Sequence, residues 1–267
     1  MSIIESSLQI LRWVLIALLL FTISTPFIYL CVGSSITALM NVFVHPQFNS
    51  ALYLSVKTSI CSLMIILITG TPLAWWLSRG DSKVRSMIGL LTMLPILVPP
   101  AVIGVGLLRA YGSRSWFGQV LDGLDIHIPF SSTAVIISQV IVSSPFYIQG
   151  ASASFRTLNP SLFCVARSFG MRSITIFFKV TLPVLLPGVS IAVALTWARA
   201  IGEFGATLLF AGNMPDKTQT LPLAIFSALE INVQLAEAMS LLLVVFGGVI
   251  LFGIRYLPTR KKHQRTE

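Results

Sequence analysis

Residues 164–183, CVARSFGMRSITIFFKVTLP, lie in the longest polar gap between two apolar runs of this chain. Asn159 and Pro160 precede them, a helix-start pattern in which asparagine caps the helix and proline fits its first position. Gly170 is expected to end that helix, because glycine tolerates the left-handed conformation that closes many helices. A second helical segment begins at about Ser173 and continues into the next apolar run. The stretch predicts a small helix–turn–helix joined to a spanning helix, which could transmit a push; a plain connecting loop is the alternative.

The composition is that of an integral membrane protein. Of 267 residues, 55% are hydrophobic and 10% are charged, whereas soluble domains carry about 25% charged residues. Several apolar runs reach the roughly 20 residues that a helix needs to cross a bilayer, and the alternating strands of a transmembrane barrel are absent. The sequence therefore predicts an all-α membrane protein with six transmembrane helices. We place these spans at 12–33, 51–78, 87–109, 132–153, 183–210 and 235–257.

Lysine and arginine are distributed unequally between the predicted gaps. The N-terminus, the gaps 79–86 and 154–182 and the C-terminal tail hold thirteen of them, whereas the opposite gaps hold Arg114, Lys217 and, at their edge, Arg109. Cytoplasmic loops of membrane proteins are rich in these residues, so both termini are predicted to be cytoplasmic. This asymmetry also accounts for the net charge of +9, and no nucleic-acid partner is expected.

The predicted topology divides the chain into three parts. Residues 1–50 hold an N-terminal tail, the first span and an outer loop. Residues 51–257 form a five-helix core that includes the loop 154–182, and residues 258–267 form a basic cytoplasmic tail.

Proline is frequent inside the predicted spans and densest in LPILVPP, residues 94–100. Each proline removes a backbone donor and tends to kink a helix. In lipid, the freed carbonyl must face protein or a wet cavity. We therefore predict a kink at Pro95–Pro100 that lines a path; an ordinary kink is the alternative, since proline is common in membrane helices.

Arg199 and Glu203 are the charged residues of one long apolar run, and they lie four positions apart on one helix face. Charges at membrane depth are costly, face the interior of a bundle and often mark a pathway. An ion pair that only positions helices is the alternative.

Residues 164–183 resemble the EAA loop of ABC-importer permeases, whose pattern is E-A-A-x3-G-x9-I-x-L-P. The second alanine, the glycine and the Leu-Pro ending fall at this spacing, whereas Cys164 stands in place of the glutamate. ARAIGEFGAT (198–207), AGNMPDKTQTLPLAI (211–225) and LPILVPPAVIGVGLL (94–108) resemble the molybdate/tungstate branch of the oxyanion importers. Sulfate/thiosulfate permeases share part of these patterns and are the alternative.

The resemblance implies a type I ABC-importer permease of MetI-like architecture in the bacterial cytoplasmic (inner) membrane. It implies a second copy of this chain, two ATP-binding cassette subunits and an external, periplasmic oxyanion-binding protein as partners. An apparent phosphate loop at 212–218 lacks the second glycine of that pattern and follows no strand. We therefore expect no cofactor, metal ion or catalytic residue in this chain, with ATP bound and hydrolysed by the separate subunit.

The resemblance also assigns residues to docking and coupling with that ATPase subunit. These residues are Asn159, Pro160, Cys164, Ala166, Arg167, Gly170, Leu182 and Pro183.

The implied substrate, molybdate, is a dianion, and transferring it into bare hydrocarbon would cost tens of kcal/mol. It therefore needs a wet cavity, which two copies could enclose. Too many cations would trap the anion, so hydroxyl groups are attractive, although they commonly bond their own helix backbone. The candidate path residues are Arg199, Glu203, Thr196, Thr207, Ser143 and Ser144. An ATP-independent secondary anion transporter is the alternative of another class, but it would not need the EAA pattern.

Overall fold

The computed structural model describes residues 2–80, 82–159 and 161–255, in which all regular structure is helical. Pro160 and the predicted tail 258–267 lie outside these residues. The helices are α1 Ser2–Gly33, α2 Ile36–Val44, α3 Pro46–Leu77, α4 Lys83–Leu97, α5 Pro100–Tyr111, α6 Trp116–Asp122, α7 Ser132–Arg156, α8 Ser161–Ser168, α9 Ser173–Ile176, α10 Leu182–Ile201, α11 Gly205–Ala211, α12 Leu221–Ile231 and α13 Val233–Arg255. A π-helical segment, Phe177–Thr181, joins α9 to α10.

Most of the predicted spans correspond to helices of sufficient length. Within the described residues, four stretches are long and apolar enough to cross a membrane, namely Leu8–Gly33, Pro46–Leu77, Ser132–Arg156 and Ser173–Ile201. The pair α4–α5 meets the same requirement when counted as one broken span. The sixth predicted span corresponds to α13, a helix of 23 residues. The number of crossings itself stays a prediction.

Two of the predicted spans, 87–109 and 183–210, are not continuous helices. The run 87–109 bends by 108° between α4 and α5, because Pro99 and Pro100 cannot donate the backbone hydrogen bonds that a continuing helix needs. This bend confirms the predicted kink, whereas its lining of a path stays a prediction. The run 183–210 stops at Ile201 and resumes at Gly205, where the side chain of Glu203 caps the new helix.

The centre of the fold is α7, which packs against α3 and α10. Small residues allow the close approach: a Cβ atom built on Gly150 would lie 2.7 Å from Cβ of Ala192 on α10, and one on Gly70 of α3 would lie 3.0 Å from Tyr147. Small residues serve the same purpose in membrane helix pairs generally, since lipid supplies no hydrophobic force between helices.

Polar side chains add to the α3–α7 contact. The hydroxyl of Ser62 donates to Oε1 of Gln139 at 2.9 Å, and Nε2 of Gln139 donates to the hydroxyl of Thr58 at 3.3 Å. All three side chains are buried. Such interhelical hydrogen bonds fix the register of two helices where no water competes for the polar groups.

The two gaps that the charge distribution places on the outer side contain short helices. In the gap 110–131, α6 is capped by Ser115, whose hydroxyl accepts the Gly118 N–H at 2.8 Å. In the gap 211–234, α12 begins at Leu221, whose N–H donates to the hydroxyl of Ser55 at 2.6 Å. This last bond ties the outer segment to α3.

Candidate coupling and translocation sites

The helix α8 begins and ends as its sequence predicts. Oδ1 of Asn159 accepts the N–H of Ser161 at 3.0 Å. Gly170 has φ +72°, the left-handed conformation that favours glycine. Its N–H donates to the carbonyl of Arg167 at 2.8 Å, and the next N–H donates to that of Ala166. The polar loop is therefore a helix with a defined end.

Two faces of α8 differ in exposure. Leu162, Val165 and Phe169 are 38%, 54% and 79% exposed, at a spacing that places them along one side of the helix and its last turn. We call these three residues the apolar stripe. Phe163 and Ala166 turn inward, and Ala166 is only 7% exposed. The stripe is not among the residues predicted from the sequence, although its i, i+3, i+7 spacing is typical of one face of a helix.

The other coupling candidates lie in a different setting. Arg167 is exposed on the side of α8 opposite the stripe, whereas Leu182 and Pro183 begin α10 and continue the helix from α9 through the π-helical segment. Proline lacks an N–H and leaves the carbonyl of an earlier turn without its donor; a π turn is one way for a helix to absorb such a defect. The stretch Ser173–Ile201 is thus one continuous helical segment, which we call the α9–α10 rod. The side chain of Cys164 lies outside the described part of the structure.

Arg199 and Glu203 form an ion pair at the break between α10 and α11. Nη2 of Arg199 lies 2.6 Å from Oε2 of Glu203, although no N–H points at this oxygen closely enough for a hydrogen bond. Oε1 of Glu203 accepts the N–H of Ala206 at 2.9 Å, so the same carboxylate caps α11. Glu203 is 1% exposed, whereas the side chain of Arg199 is 27% exposed. The geometry favours a positioning role for Glu203, and it leaves Arg199 accessible.

The two broken helices meet each other. A Cβ atom built on Gly104 of α5 would lie 2.8 Å from the carbonyl oxygen of Ala206 on α11. One built on Gly205 would lie 3.2 Å from Cβ of Pro100 and from the N of Ala101. The α4–α5 bend and the α10–α11 break therefore touch backbone to backbone. Irregular backbone at membrane depth is tolerated where it is buried in protein or lines a wet cavity.

The four hydroxyl candidates separate into two groups. Thr196 donates to the carbonyl of Ala192 at 2.7 Å, and Ser144 donates to that of Ile141 at 3.3 Å, so both satisfy their own helices. Ser143 and Thr207 are fully buried, and neither hydroxyl has a hydrogen-bond partner in the described structure. A buried polar group without a partner is costly, so these two hydroxyls keep an unused donor, although both are closed off from solvent in this arrangement of the helices.

The packing of α7 on α10 brings Ser143 to the level of Arg199. Gly150 faces Ala192, and Gly188 faces Ser154, so the two helices run antiparallel. Stepping from Gly150 to Ser143 along α7, and from Ala192 to Arg199 along α10, takes about two turns of each helix. The unpartnered hydroxyl and the guanidinium therefore lie on facing sides of the same helix pair.

Comparison with known proteins agrees with this architecture. Residues 66–263 match the family described as binding-protein-dependent transport system inner membrane component. The molybdenum transport system permease protein ModB of Mycobacterium tuberculosis is 39% identical over 209 residues, which are 78% of this chain and 79% of that protein.

Two solved structures share the fold. The crystal structure of a bacterial alginate ABC transporter, in complex with a periplasmic protein, has a chain with TM-score 0.71 and 18% identity, covering 94% of both chains. The inward-facing MetNI methionine ABC transporter has TM-score 0.59 and 19% identity, covering 76% of this chain and 91% of that chain. With the MetI-like fold and a family match across most of its length, the chain belongs to the family of binding-protein-dependent transport system inner membrane components.

Proposed function

We propose that this chain is the permease subunit of an ATP-driven ABC importer, and that two copies form a translocation path for molybdate or tungstate. The observation that carries the proposal is a helical connection between an exposed surface and a charged site. The polar loop is a short helix with an exposed apolar stripe, and the chain that follows it is one rod from Ser173 to the Arg199–Glu203 break. A surface for a partner is thereby connected to a charged site at membrane depth. The name of the Mycobacterium tuberculosis relative supports molybdate as the substrate.

The apolar stripe of α8 is the surface that docks the ATPase subunit. Leu162, Val165 and Phe169 are too exposed to contribute to the core of this chain, and burying apolar area contributes about 25 cal/mol per Å². The loop 154–182 that contains the stripe holds four basic residues and no acidic residue. A complementary groove on the ATPase subunit is therefore apolar with carboxylates at its rim.

The path candidates are the unpartnered hydroxyls of Ser143 and Thr207 together with Arg199. Hydroxyls can bind an oxyanion without holding it as tightly as a cluster of cations would. Glu203 acts indirectly, since it holds Arg199 and caps α11. Thr196 and Ser144 contribute to helix structure rather than to the path.

The import cycle then needs two arrangements of the same helices. ATP closure of the cassette subunits draws the two α8 helices together and turns the rods toward the outward-open state, in which the external binding protein releases its anion. Hydrolysis restores the inward-open state. Nucleotide has to favour one arrangement over the other by its differential binding, and no ion gradient is required. In the predicted topology, with six spans and cytoplasmic termini, α8 lies on the cytoplasmic side, where ATP is.

The test is transport by reconstituted vesicles that contain this chain, its ATPase subunit and its binding protein. We expect uptake of labelled molybdate that requires ATP and that excess sulfate barely inhibits. Strong competition by sulfate would move the chain to the sulfate/thiosulfate branch. Uptake that follows an ion gradient without ATP would refute the proposal in favour of a secondary transporter.

A further inference from the structure

Trp75, near the C-terminal end of α3, is the centre of an aromatic cluster. Its ring centroid lies 5.1 Å from that of Phe155, 5.4 Å from that of Phe163 and 6.1 Å from that of Phe177. The contacts with Phe155 and Phe177 are edge-to-face, at interplanar angles of 89°, the arrangement that aromatic quadrupoles favour. The three phenylalanines belong to α7, to α8 and to the π-helical segment that leads into α10. Trp75 thus connects α8 with α3, to which it belongs, with α7 and with the segment that leads into α10.

Arg79 completes the contact between α8 and α3. Its guanidinium carbon lies 3.8 Å from the ring centroid of Trp75 and 4.4 Å from that of Phe163. A planar guanidinium can stack on both rings at once, which an ammonium group cannot do. Burial, and then the nearby positive charge of Arg167, lower the pKa of Arg79 from its ordinary value. The contacts with the aromatic rings therefore keep Arg79 in place despite the nearby positive charge of Arg167.

Few other groups connect α8 to the helix bundle. Among the described side chains of α8, Phe163 and Ala166 are the ones that are not exposed. The methyl group of alanine is small and makes few contacts with neighbouring helices. A cavity of about 310 Å³ opens beside Phe163 and is lined also by Arg79, Phe155, Arg156 and Leu158. Along the chain, α8 is followed by the turn at Gly170 before the rod begins. The contacts of Phe163 with Trp75 and Arg79 are therefore the main side-chain connection between α8 and α3.

We propose that Phe163, held between Trp75 and Arg79, is the positioning residue that transmits displacement of α8 to α3, α7 and the α9–α10 rod. Close-packed side chains transmit strain because they compress little, and the ring of Phe163 is the large inward group through which α8 can push. The proposal rests on the docking of the ATPase subunit to α8 described above. It separates two tasks on one short helix: the outer stripe binds the partner, and the inner phenylalanine passes on the movement.

The test uses the full complex of permease, ATPase subunit and binding protein in lipid vesicles. Phe163→Ala removes the inner ring, Phe163→Tyr restores it, and Phe169→Ala is the matched control on the outer face. We expect Phe163→Ala to retain the ATPase subunit on purification and to keep an ordinary KM for ATP. Its stimulation of ATPase activity by loaded binding protein should fall about tenfold, which is within the usual range of coupling between sites. Phe163→Tyr should recover the stimulation.

The control variant should lose binding of the ATPase subunit rather than stimulation of its activity. Phe169→Ala is expected to weaken retention of the ATPase subunit, with normal stimulation in whatever complex remains. If Phe163→Ala proves poorly inserted, Arg79→Lys tests the same contact, because it keeps the charge and loses the stack; it too should lower stimulation without releasing the ATPase subunit.

The outcomes distinguish this inference from the proposed function. Full stimulation in both Phe163→Ala and Arg79→Lys complexes would overturn the inference and leave the importer proposal intact. A wild-type permease that does not retain the ATPase subunit would overturn the docking on which both depend. Loss of ATPase binding in Phe163→Ala that Phe163→Tyr restores would show that the ring belongs to the docking surface, and would overturn the inference.

Discussion

Replacing Gly104 by alanine tests how closely α5 packs against α11, because close packing and helix propensity predict opposite changes in stability. A Cβ atom there would lie 2.8 Å from the carbonyl oxygen and 3.0 Å from Cα of Ala206, both backbone atoms of α11. Backbone cannot rotate away as a side chain can, so Gly104→Ala has to displace α11 from α5. Overpacking of this kind costs typically about 1–3 kcal/mol. Against this, alanine is favoured over glycine in a helix by up to about 1 kcal/mol.

The same helix supplies a matched control in Gly106, where a Cβ atom would have no neighbour within 4 Å. Gly106→Ala gains the helix propensity and meets no obstacle, so it should be neutral or slightly stabilising. The two alanine variants should therefore differ in stability by about 1–3 kcal/mol, which corresponds to a Tm difference of several degrees at roughly 2–4 °C per kcal/mol.

The assay is thermal unfolding of the purified permease in detergent, followed by molybdate uptake in vesicles. Gly104→Ala should lower both Tm and uptake, because α11 carries Thr207 and is capped by Glu203. Gly106→Ala should leave both near wild type. Equal Tm values for the two variants would refute the tight contact between α5 and α11 and, with it, the argument that the two helix breaks form one site.

Three further substitutions test single features of the two sites. Glu203→Gln keeps an oxygen to cap α11 but removes the counter-charge of Arg199, so we expect a loss of about 3 kcal/mol in unfolding free energy; an unchanged Tm would contradict a structural ion pair. Gly170→Val forces a β-branched residue into the left-handed region, at roughly 1–2 kcal/mol, and should abolish coupling of ATP hydrolysis to uptake while membrane insertion, followed by blotting of the membrane fraction, stays normal. Ser143→Ala removes a buried hydroxyl without a protein partner, so it should raise Tm slightly and lower molybdate uptake, whereas Ser144→Ala should leave uptake unchanged; equal uptake in the two variants would exclude Ser143 from the path.

The polar loop shows how much local sequence can predict. Asparagine before α8 and glycine after it set the bounds of that helix through contacts only a few residues apart. The kink at residues 94–100 was predictable for the same reason, since proline acts on the turn that contains it. Hydropathy, in contrast, registers composition but not direction. It therefore does not show that the chain leaves α4 at an angle of 108° to α5, or that a break at 202–204 separates α10 from α11.

The sequence by itself determined the class of protein, the helices with their caps and kinks, and the i, i+4 pairing of Arg199 with Glu203, because all of these depend on neighbours along one helix. Tertiary structure alone decided which hydroxyls satisfy their own backbone and which lack a partner, and that Glu203 caps the following helix. It also assembled Trp75, Phe155, Phe163 and Phe177 into one cluster. Those four residues are separated by up to about a hundred positions, and only the packing of α3, α7 and α10 brings them within contact distance, where dispersion and quadrupole forces act.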